Sequence, residues 1–230
     1  MKRVAVTRAE PEASATAARV AAMGAAPVPA PLLRIETRAL DARIDGVQAL
    51  LFTSANGVRA WAGQSPARDL RALCVGAATA TAAREAGFAD VTAADGDSRA
   101  LAQLALQTLS AQAGRVLHIS GAHVASDMAE TLRQAGFEAE RRVAYEAVAA
   151  QDLPPALANP CDIVLFHSAR AAETFIALGA PHANQSIAAC LSPAVAQAAS
   201  DVTWKSLIVA PRPREQALLQ AALSPSGAIA

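Results

Sequence analysis

A chain of 230 residues in which 20 Lys+Arg balance 20 Asp+Glu has no net field to steer it to nucleic acid or to an anionic membrane. Aromatic residues make up only 3% of a 53% hydrophobic composition, so the core must be built from short aliphatic side chains. No apolar run approaches the ~20 residues that span a bilayer, and the expectation is a cytoplasmic protein with two small α/β domains.

In chain order, Arg3 to Thr7 reads as a β-branched strand, and Glu10-Pro11-Glu12 supplies the acidic, proline-containing first turn of a helix that Gly24 closes. Pro27, Pro29 and Pro31 follow. Proline cannot donate to a ladder, so this stretch must run extended at a sheet edge or between domains. The same grammar then repeats: strand 50–52 into helix 56–62, strand 73–75 into helix 77–86 closed by Gly87, and a short strand near Val91. A helix over 99–110 follows, with Asp97 or Ser98 as its N-cap. The remainder is expected as strand 116–119, helix 124–135 closed by Gly136, strands 138–145 and 163–166, helix 171–178, strand 187–191, helix 194–199, strand 207–209 and helix 214–223. The tail 224–230 is small and expected to fray. Strands alternating with helices imply parallel sheets covered on both faces.

The pattern occurs twice. Leu50-Leu51-Phe52-Thr53-Ser54-Ala55-Asn56 returns as Val164-Leu165-Phe166-His167-Ser168-Ala169-Arg170, and Ala72-Leu73-Cys74-Val75-Gly76 returns as Ala188-Ala189-Cys190-Leu191-Ser192. Arg3-Val4 with Gly24 returns as Arg115-Val116 with Gly136. Such echoes imply a duplicated α/β unit and two lobes, whose interface is a favoured place for a small-molecule site. One larger sheet is the alternative. The odd cysteine count, Cys74, Cys161 and Cys190, in apolar settings reads as core packing in a reducing compartment.

Ligands of parallel α/β sheets gather beyond the carboxyl ends of the strands, where this chain places small polar turns. Ser54, Asn56, Gly76, Thr79, Ser120, Gly121, Ser168 and Ser192 are candidate binding residues because turn hydroxyls and unpaired N–H groups at helix starts suit oxyanions. The competing reading is that the serines only cap helices. Arg8, directly after the first strand, is the preferred side-chain cation. No dinucleotide glycine fingerprint, phosphate loop, His-Glu-x-x-His, paired-cysteine spacing or nucleophile elbow is present, so nucleotide cofactors, metals and serine hydrolysis lack support. His118, His123, His167 and His182 have no ligand spacing. Tyr145, the only tyrosine, follows Arg141-Arg142-Val143 where the chain is expected to cross between lobes. A phenol there can donate a proton to a leaving hydroxyl or position it, or it can be an ordinary edge residue.

Taken in order, Val6-Thr7-Arg8, Leu51-Phe52-Thr53-Ser54-Ala55-Asn56, Val75-Gly76-Ala77-Ala78-Thr79-Ala80, Asp97-Ser98, Ser120-Gly121, Val143-Ala144-Tyr145-Glu146, Phe166-His167-Ser168 and Ala210-Pro211 resemble uroporphyrinogen-III synthase over almost the whole chain. The resemblance implies a lyase without cofactor or metal, closing linear hydroxymethylbilane to uroporphyrinogen III with inversion of ring D in haem biosynthesis. It implies two flavodoxin-like lobes with parallel sheets joined by a two-stranded linker, in a monomer. Residues 1–33 and 152–230 would form one lobe, 47–140 the other, and 34–46 with 141–151 the linker. Ser54, Gly76, Thr79 and Tyr145 match the family's site, with Tyr145 on the tyrosine often considered to assist departure of the hydroxyl. Elsewhere the chain departs from the pattern: the usual Gly-Pro-Thr-Thr becomes Ser192-Pro193-Ala194-Val195, the usual Thr-Ser-Pro becomes His167-Ser168-Ala169, and Ser120-Gly121-Ala122-His123 lacks the familiar arginine. Those departures leave a non-catalytic binder of tetrapyrroles or other small polyanions as an alternative, and an FMN carrier as a third.

Overall fold

The computed structural model describes residues 1–124 and 127–223. In chain order the elements are β1 (Arg3–Val6), α1 (Glu12–Ala22), β2 (Ala26–Pro29), β3 (Leu33–Thr37), β4 (Val47–Phe52), α2 (Ala55–Ala62), β5 (Arg71–Cys74), α3 (Ala77–Glu85), β6 (Val91–Ala93) and α4 (Ser98–Thr108). There follow β7 (Arg115–Gly121), α5 (Met128–Gln134), β8 (Ala139–Ala149), β9 (Ile163–Phe166), α6 (Ala169–Ala177), β10 (Ile187–Cys190), α7 (Pro193–Ala199), β11 (Ser206–Val209) and α8 (Glu215–Leu223). The strands form two sheets, not one.

The first compact unit comprises Met1–Arg34 and Val148–Ala230, and the second Ile35–Ala147. In the first, strands run β11-β10-β9-β1-β2, all parallel. The proline-bearing β2 is an edge strand, where its missing N–H groups cost least. Alternation along β9 sends Val164 and Phe166 to the face covered by α6 and α7, and Ile163 and Leu165 to the face covered by α1 and α8. The aromatics of this unit gather on the α6 side: Phe166 meets Phe175 edge-on at 5.7 Å, and Phe175 stacks on Trp204 at 5.5 Å.

In the second unit the order is β3-β8-β7-β4-β5-β6. From β8 to β6 the pairs are parallel. β3 lies antiparallel to β8, since Arg38 N–H donates to Ala144 O (2.8 Å) while Ala150 N–H donates to Leu32 O (2.9 Å). Leu50 and Phe52 of β4 face α2 and α3, and Ala49 and Leu51 face α4 and α5. α2 approaches β7 so closely that a Cβ on Gly57 would stand 2.9 Å from Ile119 O.

The repeated segments of sequence occupy equivalent strands. β1, β9 and β10 correspond to β7, β4 and β5, and each sheet then has the flavodoxin-like order 2-1-3-4-5, counting β1 or β7 as strand 1. In the first unit the chain leaves after strand 2 and returns at strand 3. In the second, strands 3, 4 and 5 come before 1 and 2.

Several boundaries differ from the sequence reading. α5 starts at Met128 rather than near 124, because Asp127 accepts from the N–H groups of Ala129 (3.0 Å) and Glu130 (3.3 Å) and so fixes the first turn. Residues 125 and 126 of that expected helix, and the tail 224–230, lie outside the described residues. Asp97, not Ser98, caps α4, accepting from Arg99 N–H at 2.9 Å and Ala100 N–H at 3.2 Å. β8 runs on to Ala149 because pairing with β3 takes over where pairing with β7 ends. Within the expected linker segments, residues 35–46 and 141–147 belong to the second unit.

Candidate functional site

In the second unit sheet order reverses between β7 and β4, and the crevice at that point opens beyond their carboxyl ends. A cavity of about 270 Å³ lies there, lined by Thr53, Ser54, Val75, Ser98, His118, Gly121, His123, Val124 and Tyr145. Ser54 reaches it as the N-cap of α2, its extended backbone (φ −158°, ψ 147°) turning the chain from strand to helix while Oγ accepts from Asn56 N–H at 3.1 Å.

Tyr145 reaches it through a register shift. The β7–β8 pairing is regular from Val116↔Ala139 to Ser120↔Val143, then skips a residue so that Gly121 pairs with Tyr145. Ala122 N–H donates to Tyr145 O at 2.8 Å and pins the shifted register. The ring lies over Gly121: a Cβ there would meet Tyr145 Cε2 and Cζ at 2.9 Å and the hydroxyl at 3.1 Å. Gly121 therefore acts by the side chain it lacks.

His118 lies on β7 between the core residues Leu117 and Ile119 and is 1% exposed. Its Nε2 is 3.3 Å from Thr53 Oγ1, and its Nδ1 is buried without a hydrogen-bond partner among the described residues. Burial, reinforced by the Arg141 guanidinium, pushes its pKa down to about 4, so the imidazole is neutral at physiological pH. Arg141, the partner of His118 in β-register, donates to Ser120 Oγ (2.9 Å), Gly121 O (2.8 Å) and Ala122 O (2.8 Å). Those acceptors are neutral, and Arg141 has no carboxylate partner among the described residues.

Of the residues expected at a site, the cavity brings together Ser54, Gly121 and Tyr145. Asn56 is one turn away, its side chain accepting from Arg59. Gly76 caps α3 in extended backbone, and Thr79 is buried on the inner face of that helix. Ser120 is fully buried, held by Arg141 and donating to Gly121 O at 3.1 Å. Thr53, His118 and His123 line the cavity although the sequence does not single them out as a site; the weak signal was a histidine inside an otherwise apolar strand.

The equivalent strand ends of the first unit are filled differently. Ser168 and Ser192 cap α6 and α7, accepting from Ala171 N–H (3.2 Å) and Val195 N–H (3.4 Å). Arg8 Nη1 donates to Glu215 Oε1 at 3.2 Å, and Thr16, Arg19 and His167 converge on the same carboxylate, His167 Nε2 at 3.5 Å. Burial alone would raise the Glu215 pKa, but His167, Thr16 and Arg8 outweigh it and hold it at about 2. His167 is itself depressed, because its burial outweighs the pull of Glu215.

Cys74, Cys161 and Cys190 are free and buried, and desolvation pushes the Cys74 and Cys190 thiols up to about 11, which leaves them protonated. Among the described residues no group of three or more His, Cys, Asp or Glu is placed to hold a metal ion, and no helix is long and apolar enough to cross a membrane.

The fold has known relatives. A solved uroporphyrinogen-III synthetase from Helicobacter pylori superposes with a TM-score of 0.69 at 18% identity, covering 97% of this chain and 98% of that one. A mutant uroporphyrinogen III synthase from the extremely thermophilic bacterium Thermus thermophilus gives a TM-score of 0.54 at 21% identity over 96% of each chain. At such identities the likeness establishes the fold. No curated protein sequence matches the chain. The family model for uroporphyrinogen-III synthase HemD matches residues 14–220, nearly the full described length, and the chain therefore belongs to the uroporphyrinogen-III synthase family, lyases of haem biosynthesis.

Proposed function

We propose that the chain closes hydroxymethylbilane to uroporphyrinogen III using the cavity at the β4 and β7 strand ends, with Tyr145 at the departing hydroxyl. The observation that carries this reading is the placement of the only tyrosine, over Gly121 and in one cavity with Ser54 and Thr53. Loss of the substrate hydroxyl leaves an electrophilic azafulvene, and unaided closure of that species gives the wrong isomer. The protein's task is selectivity: it must hold the chain so that the substituted carbon of ring D attacks, forming a spiro intermediate that rearranges. Orientation and exclusion of water accomplish this without a strong acid or base. The substrate's carboxylates are the handles. Unpaired N–H groups at the starts of helices opened by Ser54, Gly76, Ser168 and Ser192 suit them, and Asn56, Thr79, Ser120 and Gly121 shape the turns. The protein works as a cytoplasmic monomer with this small molecule as its partner and without a cofactor.

Supplying hydroxymethylbilane and resolving the product isomers tests the reading. Dominant isomer III is expected; isomer I alone would overturn it and leave a binding role. Sedimentation of the purified protein tests the monomer.

A further inference from the structure

We propose that His118 is a positioning residue that fixes the Thr53 hydroxyl as a hydrogen-bond donor to a carboxylate of the substrate, an inference that rests on the function proposed above. A neutral imidazole carries one N–H and one lone pair, and their assignment follows from the surroundings. If Nδ1 carried the proton, a buried N–H would be left with no acceptor among the described residues. Placing the proton on Nε2 leaves an unpaired lone pair at Nδ1, a lesser penalty, and directs an N–H at Thr53 Oγ1, 3.3 Å away. The Thr53 oxygen then accepts, and its own proton has no acceptor among the described residues. Thr53 closes β4 and lines the cavity, so that proton is available to whatever occupies it.

The charge around the pair selects an anion. Arg141, beside His118 on β8, spends its donors on one hydroxyl and two carbonyls and has no carboxylate partner among the described residues, while Glu146, 3.5 Å from the cavity-lining His123, is already paired with Arg38. Asp127 also faces His118, but its side chain is occupied in capping α5. A carboxylate offers the lone pairs that a Thr53 O–H can meet and the charge that Arg141 lacks.

The tautomer is read first, from the ¹⁵N shifts of His118 in protein labelled at histidine. Protonation at Nε2 is expected, and protonation at Nδ1 overturns the proposal whatever the protein turns over. Kinetics with hydroxymethylbilane follow, the isomers being resolved for the wild type and each variant. Wild-type protein giving only isomer I would overturn the function reading, and this proposal with it, while the tautomer result stood apart. Thr53→Val is expected to raise KM about tenfold with a smaller change in kcat, as loss of a hydrogen bond to a charged group should. His118→Leu should raise KM about threefold or more, and the double variant should be no worse than Thr53→Val alone. His118→Gln, whose amide can reach the Nε2 position, should restore wild-type KM even if the leucine variant folds poorly. Losses that multiply in the double variant, or no rescue by glutamine, would overturn the positioning role.

Discussion

The same five-strand order occurs twice in this chain, and the two copies end differently. At the β4 and β7 ends of the second unit, Thr53, Ser54, His118 and Tyr145 surround a cavity and Arg141 has no carboxylate partner among the described residues. At the equivalent ends of the first unit, Glu215 draws Arg8, Arg19, Thr16 and His167 onto one carboxylate. A parallel sheet creates a crevice wherever its order reverses, and the side chains brought to it, here Glu215 from α8 with Thr16 and Arg19 from α1, decide how its charges are paired.

The comparison is broken most sharply at Tyr145. Tyr145→Phe keeps the ring and removes the hydroxyl, and is expected to slow formation of isomer III by up to about 10²-fold with the melting temperature unchanged. This is the low end for acid assistance, because the leaving group also departs unaided. Full rate with full selectivity would make the tyrosine structural and assign the site to the turns. Gly121→Ala tests the same point without touching the tyrosine. Its Cβ must push the ring aside, so a smaller fall in isomer III is expected with folding preserved.

The charge cluster of the first unit is broken by Glu215→Gln. Removing the carboxylate strands Arg8 and Arg19, and because both are partly exposed the expected loss in urea-unfolding stability is about 2 kcal/mol. The cavity end should show itself in acid. His118 has its folded pKa depressed to about 4 from 6.5, so the unfolded chain binds the proton first; stability is fully present above pH 6.5 and is lost as pH falls towards 4. Between pH 7 and pH 5 this amounts to about 2 kcal/mol, and His118→Gln should flatten it. His167 contributes in the same direction, which makes the difference between wild type and variant the informative measurement. The smallest effect is expected at Arg8. With its guanidinium already on Glu215, Arg8→Gln should change KM less than about twofold, and a tenfold rise would place Arg8 on the substrate.

Much of this was legible in the chain itself. The paired segments around Phe52 and Phe166, and around Cys74 and Cys190, lie on equivalent strands because a strand buried on both faces followed by a helix cap is a local pattern, repeated wherever the architecture repeats. Tyr145 and Gly121 were identifiable one at a time. Their contact was not, since it depends on a skipped residue in the pairing of β7 with β8. Nor could the partner of Arg8 be read from its neighbours, because that carboxylate lies 207 residues away on α8. His118 was hidden for the opposite reason: its immediate neighbours Leu117 and Ile119 are apolar, and its contact with Thr53 comes from the end of an adjacent strand.

The insertion of one unit within the other also has a consequence for synthesis. Ile35–Ala147 is continuous, so the second unit can close its sheet as soon as that stretch has left the ribosome. β1 obtains β2 at once, but its other neighbour, β9, is made only after the entire second unit, on the order of 10 s later at ~5–20 residues per second. During that interval Val4 and Val6, fully buried in the finished protein, still lack Ile163 and Leu165 of β9 and the α8 residues that complete their cluster. In that nascent pair Pro27 and Pro29 blunt the outer edge of β2, whereas the β1 edge stays open to pairing until β9 is made.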